Sequence, residues 1–240
     1  MPSTVKGPNP EFIQDTFSTI ADNYDKANDA ITFGMVRRWR KTMIEFSGAK
    51  TGDRVLDCAT GTGDLALEFK KQVGPKGRVI GTDFCKEMLA KAPGKAEALN
   101  LKVEFEWADA MDLPYEDETF DIVSIGYGIR NVADPVKALS EMARVTRPGG
   151  KVIVLETGDT RNPVLQPMIN LYFKYIVPRI GGLVGGNRSA YEYLNQSSSR
   201  FPSKQDFIEL MQQTGTLENL QYKSLMGGAS FIYSGERVVT

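Results

Sequence analysis

Histidine is absent from this chain, and that gap removes whole classes of chemistry. A Ser-His-Asp triad, a His-ligated metal site and an imidazole base are all excluded, so any proton transfer falls to Asp, Glu, Tyr, Lys or water. Cysteine is scarce: Cys58 and Cys85 are the only two. They show neither C-x-x-C spacing nor a disulfide framework, which fits a reducing cytosol, and both read as small apolar packing residues. Charge of one sign is also missing. Lys and Arg number 29 against 30 Asp and Glu, a net charge of −1, so nothing points to a nucleic-acid surface and no like-charge run to a tail. No apolar run reaches the roughly 20 residues of a membrane span, and residues 1–10 lack the charged-then-apolar pattern of a signal peptide. The expected location is the cytoplasm, at most peripheral to the inner membrane face.

What is present centres on Val55-Leu56-Asp57-Cys58-Ala59-Thr60-Gly61-Thr62-Gly63-Asp64-Leu65. Arg54 to Asp57 reads as a buried parallel strand, Gly61-Thr62-Gly63 as a tight turn, and Asp64 to Val73 as a helix. Glycines let the backbone come close to a ligand there, and the first N–H groups of the helix have no partners within it. Two cofactors are compatible with the turn. Gly61-x-Gly63-x-x-Ala66 fits the loose dinucleotide pattern, with Asp83 20 residues after Gly63. Against that stands charge: a pyrophosphate favours an uncompensated helix N-terminus, whereas Asp57 ends the strand and Asp64 opens the helix. Two carboxylates suit the ammonium and sulfonium of S-adenosylmethionine.

With 240 residues, one α/β core plus a cap is expected. Ahead of the first strand, Glu11 to Lys26 and Gly34 to Ser47 read as amphipathic helices with no place in a sheet order, hence as a lid over the cleft. Within them Tyr24 is either a helix-end packing residue or a ligand contact, and Arg37-Arg38-Trp39-Arg40-Lys41 is either a solvated face or a patch for anionic headgroups. Gly77 to Asp83 is a second strand whose terminal acid should accept both ribose hydroxyls. Leu101 to Trp107 is a third, and Asp109 just beyond it is placed to accept from an adenine amino group, with Ala110 facing the ring. Phe120 to Ile125 is a fourth, followed by Gly126-Tyr127-Gly128-Ile129-Arg130-Asn131-Val132, a loop at the topological switch point that should face the reacting group. A helix from Asp134 to Val145, a turn at Arg147-Pro148-Gly149-Gly150 and a fifth strand to Glu156 come next. The segment from Asn162 to Gly186 is unusually apolar, either a packed cap helix or a wall for a long apolar substrate. Ser203 is expected to cap a helix through Gln213, and a hairpin at residues 217–238 to add an antiparallel strand to the sheet.

Taken together, Asp57 to Asp64, Tyr127-Gly128-Ile129-Arg130-Asn131-Val132, and Arg147-Pro148-Gly149-Gly150 with Leu155-Glu156 resemble the menaquinone and ubiquinone biosynthesis C-methyltransferase family over roughly residues 17–237. The glycine loop is shared by many methyltransferases; the G-x-R-N-V loop with Tyr172-Phe173, Ile176 and Pro178 is more specific. The resemblance implies a class I S-adenosylmethionine-dependent methyltransferase, α/β and Rossmann-like, as one domain over residues 1–240. A helical lid at about 11–47 and an apolar cap at about 162–200 would complete it. It further implies that Thr62, Asp83, Asp109 and Ala110 contact the cofactor together with Asp57, Gly61, Gly63 and Gly126. The substrate would be a lipidic polyprenyl quinol, methylated on a ring carbon. Two departures are visible: Asp109-Ala110 stands where the family usually has Asn-Ala, and Cys58-Ala59-Thr60-Gly61 where it often has Cys-Cys-Gly or Ala-Gly-Gly.

Arg130, Asn131 and Tyr24 are the catalytic candidates. Arg130 is the one cation in its loop and would lower the phenolic pKa of the acceptor by a fixed positive charge, no metal being required. Three alternatives stay open: an NAD-dependent oxidoreductase on the same kind of sheet, a non-catalytic partner-binding module, and a methyltransferase for another hydrophobic acceptor such as a sterol or polyketide. Peripheral membrane contact is expected of the lipidic substrate, and oligomeric state is open, a homodimer being one outcome.

Overall fold

Strand β1 (Arg54–Cys58) has its last four residues fully enclosed, the pattern of a central parallel strand covered on both faces. In the computed structural model, which describes residues 5–158 and 171–239, β1 is flanked by β2 (Arg78–Asp83) on one side and β4 (Phe120–Gly126) on the other. The complete seven-stranded order is β3-β2-β1-β4-β5-β7-β6, where β3 is Glu104–Trp107, β5 Thr146–Thr157, β6 Leu217–Leu225 and β7 Ser230–Arg237. Strands β1 to β5 run parallel. The expected terminal hairpin inserts antiparallel, β7 beside β5 and β6 at the edge. The order reverses between β1 and β4, so a crevice opens beyond the carboxyl ends of those strands.

Alternate residues of the inner strands feed two cores. Leu56, Val123, Val152 and Val154 pack with Leu139 and Met142 of α7 (Pro135–Val145) and Phe207 and Met211 of α10 (Gln205–Gln212). Val55, Ile122, Ile153 and Leu155 pack with Met43 of α3 (Met35–Ser47) and Phe69 of α4 (Asp64–Val73). The sharp start of α7 has a local cause: Asp134 accepts the Lys137 N–H at 2.9 Å and Pro135 occupies the first turn.

Several boundaries differ from the sequence reading. The helix expected from Glu11 to Lys26 is broken into α1 (Pro10–Ile20) and α2 (Tyr24–Thr32). The two pieces pack against different neighbours, α1 on α5 (Lys86–Leu89) and α2 on α8 (Val177–Val184). The turn expected at Arg147 to Gly150 is drawn into β5, where Gly149 takes φ +72° and the register with β4 shifts, a bulge that glycine makes inexpensive. Ser203 does not cap α10; Lys204 precedes the helix at φ 60° and no side chain caps it. Residues 162–170 of the apolar stretch lie outside the described residues. From Leu171 onward the chain forms one π-helical turn, Tyr172–Ile176, then α8 and α9 (Arg188–Arg200). Between α5 and β3 lies the short α6 (Ala92–Ala98). Among the described residues no helix is long and apolar enough to cross a membrane.

Candidate active site

Two glycines of the loop after β1 take left-handed conformations, Gly61 at φ +59° and Gly63 at φ +87°, which side chains rarely adopt. A Cβ on Gly63 would also sit 2.8 Å from Ala92 Cβ. The loop is fixed from the neighbouring strand: Asp83, at the end of β2, accepts the Gly61 N–H at 2.7 Å and the Cys85 N–H at 2.8 Å. Each carboxylate oxygen therefore keeps acceptor capacity. Burial pushes its pKa up to about 6 despite those bonds. Asp83, Asp109, Ala110, Gly61 and Gly126 line one cavity, with Phe84 and Met111 as apolar walls. Asp109 also accepts the Met111 N–H at 2.8 Å, so it forms its turn and borders the cavity at once.

The two acids expected to face a cationic ligand border a second cavity beside the first, but each is already partnered within the chain. Asp57 is fully buried; its oxygens accept Thr60 Oγ1–H at 2.6 Å and Ser124 Oγ–H at 2.8 Å, and desolvation raises its pKa to about 7. It braces the loop from beneath rather than offering a free charge. Asp64 is paired with Arg40 at 2.6 Å and with Lys95. Both cations come from elsewhere in the chain, so the charge contrast between sulfonium and pyrophosphate is smaller than the local sequence implies. Thr62, expected at the cofactor, is buried with its hydroxyl donated to Asp25 of α2 at 2.6 Å and Lys95 Nζ 3.1 Å away. It fastens α2 to the glycine loop.

A second cavity of about 530 Å³ adjoins the first. Tyr24, Gly61, Gly126 and Tyr127 border both, so α2 and the two glycine loops form the partition. Its other walls include Phe33, Trp39, Tyr172, Tyr191, Leu194 and Met226. Tyr24 stacks edge-on with Phe17, ring centroids 6.1 Å apart, and burial raises its hydroxyl pKa.

Arg130 lines this larger cavity, but not as the free cation the sequence suggested. Its Nη1 is held by the Glu156 carboxylate and by the Tyr127 carbonyl, the latter at 2.9 Å. Glu156, at the end of β5, is 0% exposed. The guanidinium is thus half of a buried ion pair, and its field at the acceptor is partly cancelled. Away from that pairing, Arg130 Nε is buried without a hydrogen-bond partner. Asn131 lies on the other side, lining the first cavity. Its Oδ1 accepts Tyr193 Oη–H at 3.1 Å, which anchors the loop to α9.

Sequence reasoning left Glu156, Lys95, Asp25 and Tyr191 out of the site, and read Arg40 as part of a solvated face or a headgroup patch where the structure pairs it with Asp64. Glu156 had a legible signal, an acid ending a strand beside the loop strand. The charged partners Arg40 and Lys95 sit on surface-like helices and carry none.

Residues 5–237 match the ubiE/COQ5 methyltransferase family. The chain is 55% identical over 228 residues, 95% of this chain and 97% of the other, to the ubiquinone/menaquinone biosynthesis C-methyltransferase UbiE of Bdellovibrio bacteriovorus. It is 38% identical over 227 residues, 95% of this chain and 93% of the other, to a demethylmenaquinone methyltransferase of Staphylococcus aureus. Among solved structures it resembles a possible histamine N-methyltransferase of Thermotoga maritima, TM-score 0.66 at 18% identity over 93% of this chain and 99% of that one. A SAM-dependent methyltransferase of Aquifex aeolicus gives TM-score 0.60 at 21% identity over 83% and 89%; both likenesses bear on the fold alone. By the match over residues 5–237 and the identity to both relatives over 95% of its length, the chain belongs to the ubiE/COQ5 methyltransferase family.

Proposed function

We propose that the protein methylates a ring carbon of a polyprenyl quinol, demethylmenaquinol or the ubiquinone-pathway benzoquinol or both, with S-adenosylmethionine as donor. The observation that carries this reading is the pair of adjoining cavities, one ringed by strand-end acids and glycines, the other large and mostly apolar, divided by Tyr24, Gly126 and Tyr127. The residues of the first cavity fit the donor. Asp83 retains acceptor capacity for ribose hydroxyls, Asp109 and Ala110 border the same cavity, and a side chain at Gly126 would press on Leu65 at 3.0 Å. When bound, S-adenosylmethionine would supply an electrophilic methyl: the ring carbon forms a C–C bond to it as the C–S bond breaks, S-adenosylhomocysteine leaves, and the ring C–H proton passes to water.

The protein's own share is positioning and electrostatics. Trp39 and Leu194 help exclude water from the acceptor ring, while the Arg130 guanidinium, on the wall of the same cavity, favours the anionic form of a ring oxygen. A prenyl tail would leave over the rim, where Phe33 is 79% and Met226 59% exposed. Those apolar side chains support peripheral contact with a lipid surface.

The test is to incubate the protein with S-adenosylmethionine and reduced polyprenyl acceptors in detergent and to weigh the products. The expected product is 14 mass units heavier, roughly one CH₂. Activity should require detergent or lipid for the long-tailed substrate. Equal turnover of tail-less quinols in plain buffer would redirect the assignment to another hydrophobic acceptor, and tight NAD binding by calorimetry would overturn the choice of donor.

A further inference from the structure

The cavity bordered by Asp83, Asp109 and Gly61 holds about 110 Å³, below the roughly 300 Å³ at which pockets for whole small molecules begin. A nucleoside carrying an amino-acid chain does not fit inside it. Continuation lies across the shared border of Tyr24, Gly61, Gly126 and Tyr127, in the cavity of about 530 Å³. The amino-acid end is a zwitterion, and a carboxylate entering a mostly apolar chamber needs a cation to offset the loss of water.

Among the described residues two cations line the larger cavity, Arg40 and Arg130. Arg130 is committed to the enclosed Glu156, and its Nε is sealed from solvent. Arg40, which belongs to the basic run of α3, differs. Its Nη1 donates to Asp64 Oδ2 at 2.6 Å, and its side chain keeps 15% of its surface exposed. Nε and Nη2 have no hydrogen-bond partner among the described residues, and neither is sealed. These two donors share the edge of the guanidinium that takes a carboxylate bidentately. Arg78 uses the same edge on Glu104, at 2.8 and 2.6 Å.

The charge of Arg40 is felt at the border between the cavities. Burial raises the pKa of Tyr24, Asp57 and Tyr127, and the Arg40 charge opposes the rise at each. Asp64 complements it from the same wall: Oδ2 takes Arg40, Oδ1 takes Lys95, and each oxygen has a second lone pair. A donor fork beside an acceptor matches a carboxylate and an ammonium carried on one carbon.

We infer that Arg40, through Nε and Nη2, binds the α-carboxylate of the methyl donor, with the α-ammonium against Asp64, so that the donor spans both cavities. This rests on the reading of S-adenosylmethionine as that donor.

Calorimetry with two probes tests it apart from turnover: S-adenosylhomocysteine and its decarboxylated analogue, which keeps the adenosine, sulfur and amine. Arg40→Gln should weaken S-adenosylhomocysteine binding about tenfold to a hundredfold. Affinity for the decarboxylated probe should stay unchanged or rise, since Asp64 then has one cation fewer. Arg40→Lys should recover part of the loss, because an ammonium keeps the charge without the fork. If Arg40→Gln weakens both probes equally, Arg40 only props Asp64 and the lid, and the inference is overturned; unchanged affinity for both overturns it as well. Failure of the unaltered protein to bind either probe would overturn the donor reading and this assignment together, whereas a missing contrast between the probes overturns the assignment alone.

Discussion

Arg130 and Glu156 form an ion pair whose carboxylate is completely enclosed and whose guanidinium is nearly so, tying the loop after β4 to the end of β5. Removing one partner strands the other charge in a site with little water. Glu156→Ala and Arg130→Met should therefore each cost about 3–5 kcal/mol of stability, measurable by urea unfolding. The double variant Arg130→Met/Glu156→Gln removes both charges and should recover most of that loss. Turnover should stay down by about 100-fold or more, with S-adenosylhomocysteine affinity nearly intact. Recovery of turnover along with stability would mean that Arg130 has no role beyond its pair.

Asp83 binds its proton more tightly in the folded chain, about 6 against 3.8 unperturbed. The sign follows directly: ligand-free stability contributed by this group is present below pH 4 and is lost as pH rises through about 6. Asp57, raised to about 7, adds a loss of the same sign. Under the proposed role of Asp83, cofactor binding should have the opposite dependence, because the ionised carboxylate can accept ribose hydroxyls while holding two N–H groups. S-adenosylhomocysteine affinity should fall by up to about tenfold per pH unit below 6. Asp83→Asn, whose amide nitrogen would oppose one of those N–H donors, should bind weakly and flatten this dependence in a calorimetric pH series.

Lys95 bridges Asp25 of α2, at 2.8 Å, and Asp64 at the start of α4. The three side chains are partly exposed, so the network should respond to salt. Asp25→Ala frees the Thr62 hydroxyl and removes one anchor of α2. S-adenosylhomocysteine affinity should drop about threefold to tenfold, and the gap to the unaltered protein should narrow when titrations are repeated in about 1 M salt, where screening reaches about 3 Å. A salt-independent loss would assign the effect to Thr62 alone.

Two glycines should respond to alanine with opposite signs. Gly63→Ala forces a side chain into φ +87° and against Ala92 at 2.8 Å. It should destabilise by at least about 1 kcal/mol and weaken cofactor binding. Gly94, the third residue of α6, has nothing within 4 Å of an added Cβ. Gly94→Ala should stabilise by about 0.5–1 kcal/mol. Thermal melts of the two variants side by side read the contrast.

The parts of the site that were legible in the sequence are those made by neighbours in the chain. A strand, a glycine turn and a helix within residues 54–73 announce themselves by periodicity, and Asp83 by ending the next strand. Partners brought together by folding left no such mark. Asp57 looked like an unpartnered acid because Thr60 and Ser124, which each donate to one of its oxygens, are ordinary small residues in the text. Arg130 looked free because Glu156 is 26 positions away. The break between α1 and α2 was hidden for a related reason: the apolar stripe continues across Ala21 to Asn23, and tertiary packing rather than propensity bends it. Tyr191 was invisible for lack of any pattern, since α9 is polar overall and the glycines against its ring, Gly181 and Gly185, belong to α8 and its C-cap.

The insertion of β7 between β5 and β6 has a consequence for synthesis. Everything that borders the donor cavity lies between Pro10 and Ala133, so a ribosome delivers that half early. The acceptor cavity additionally needs Met226, Ala229 and Ser230, supplied by the hairpin that pairs last with β5. A nascent chain can therefore build its donor cleft while the acceptor chamber still lacks a wall and β5 an edge partner. Until β7 docks, that open strand is the part of the molecule most exposed to pairing with a neighbour.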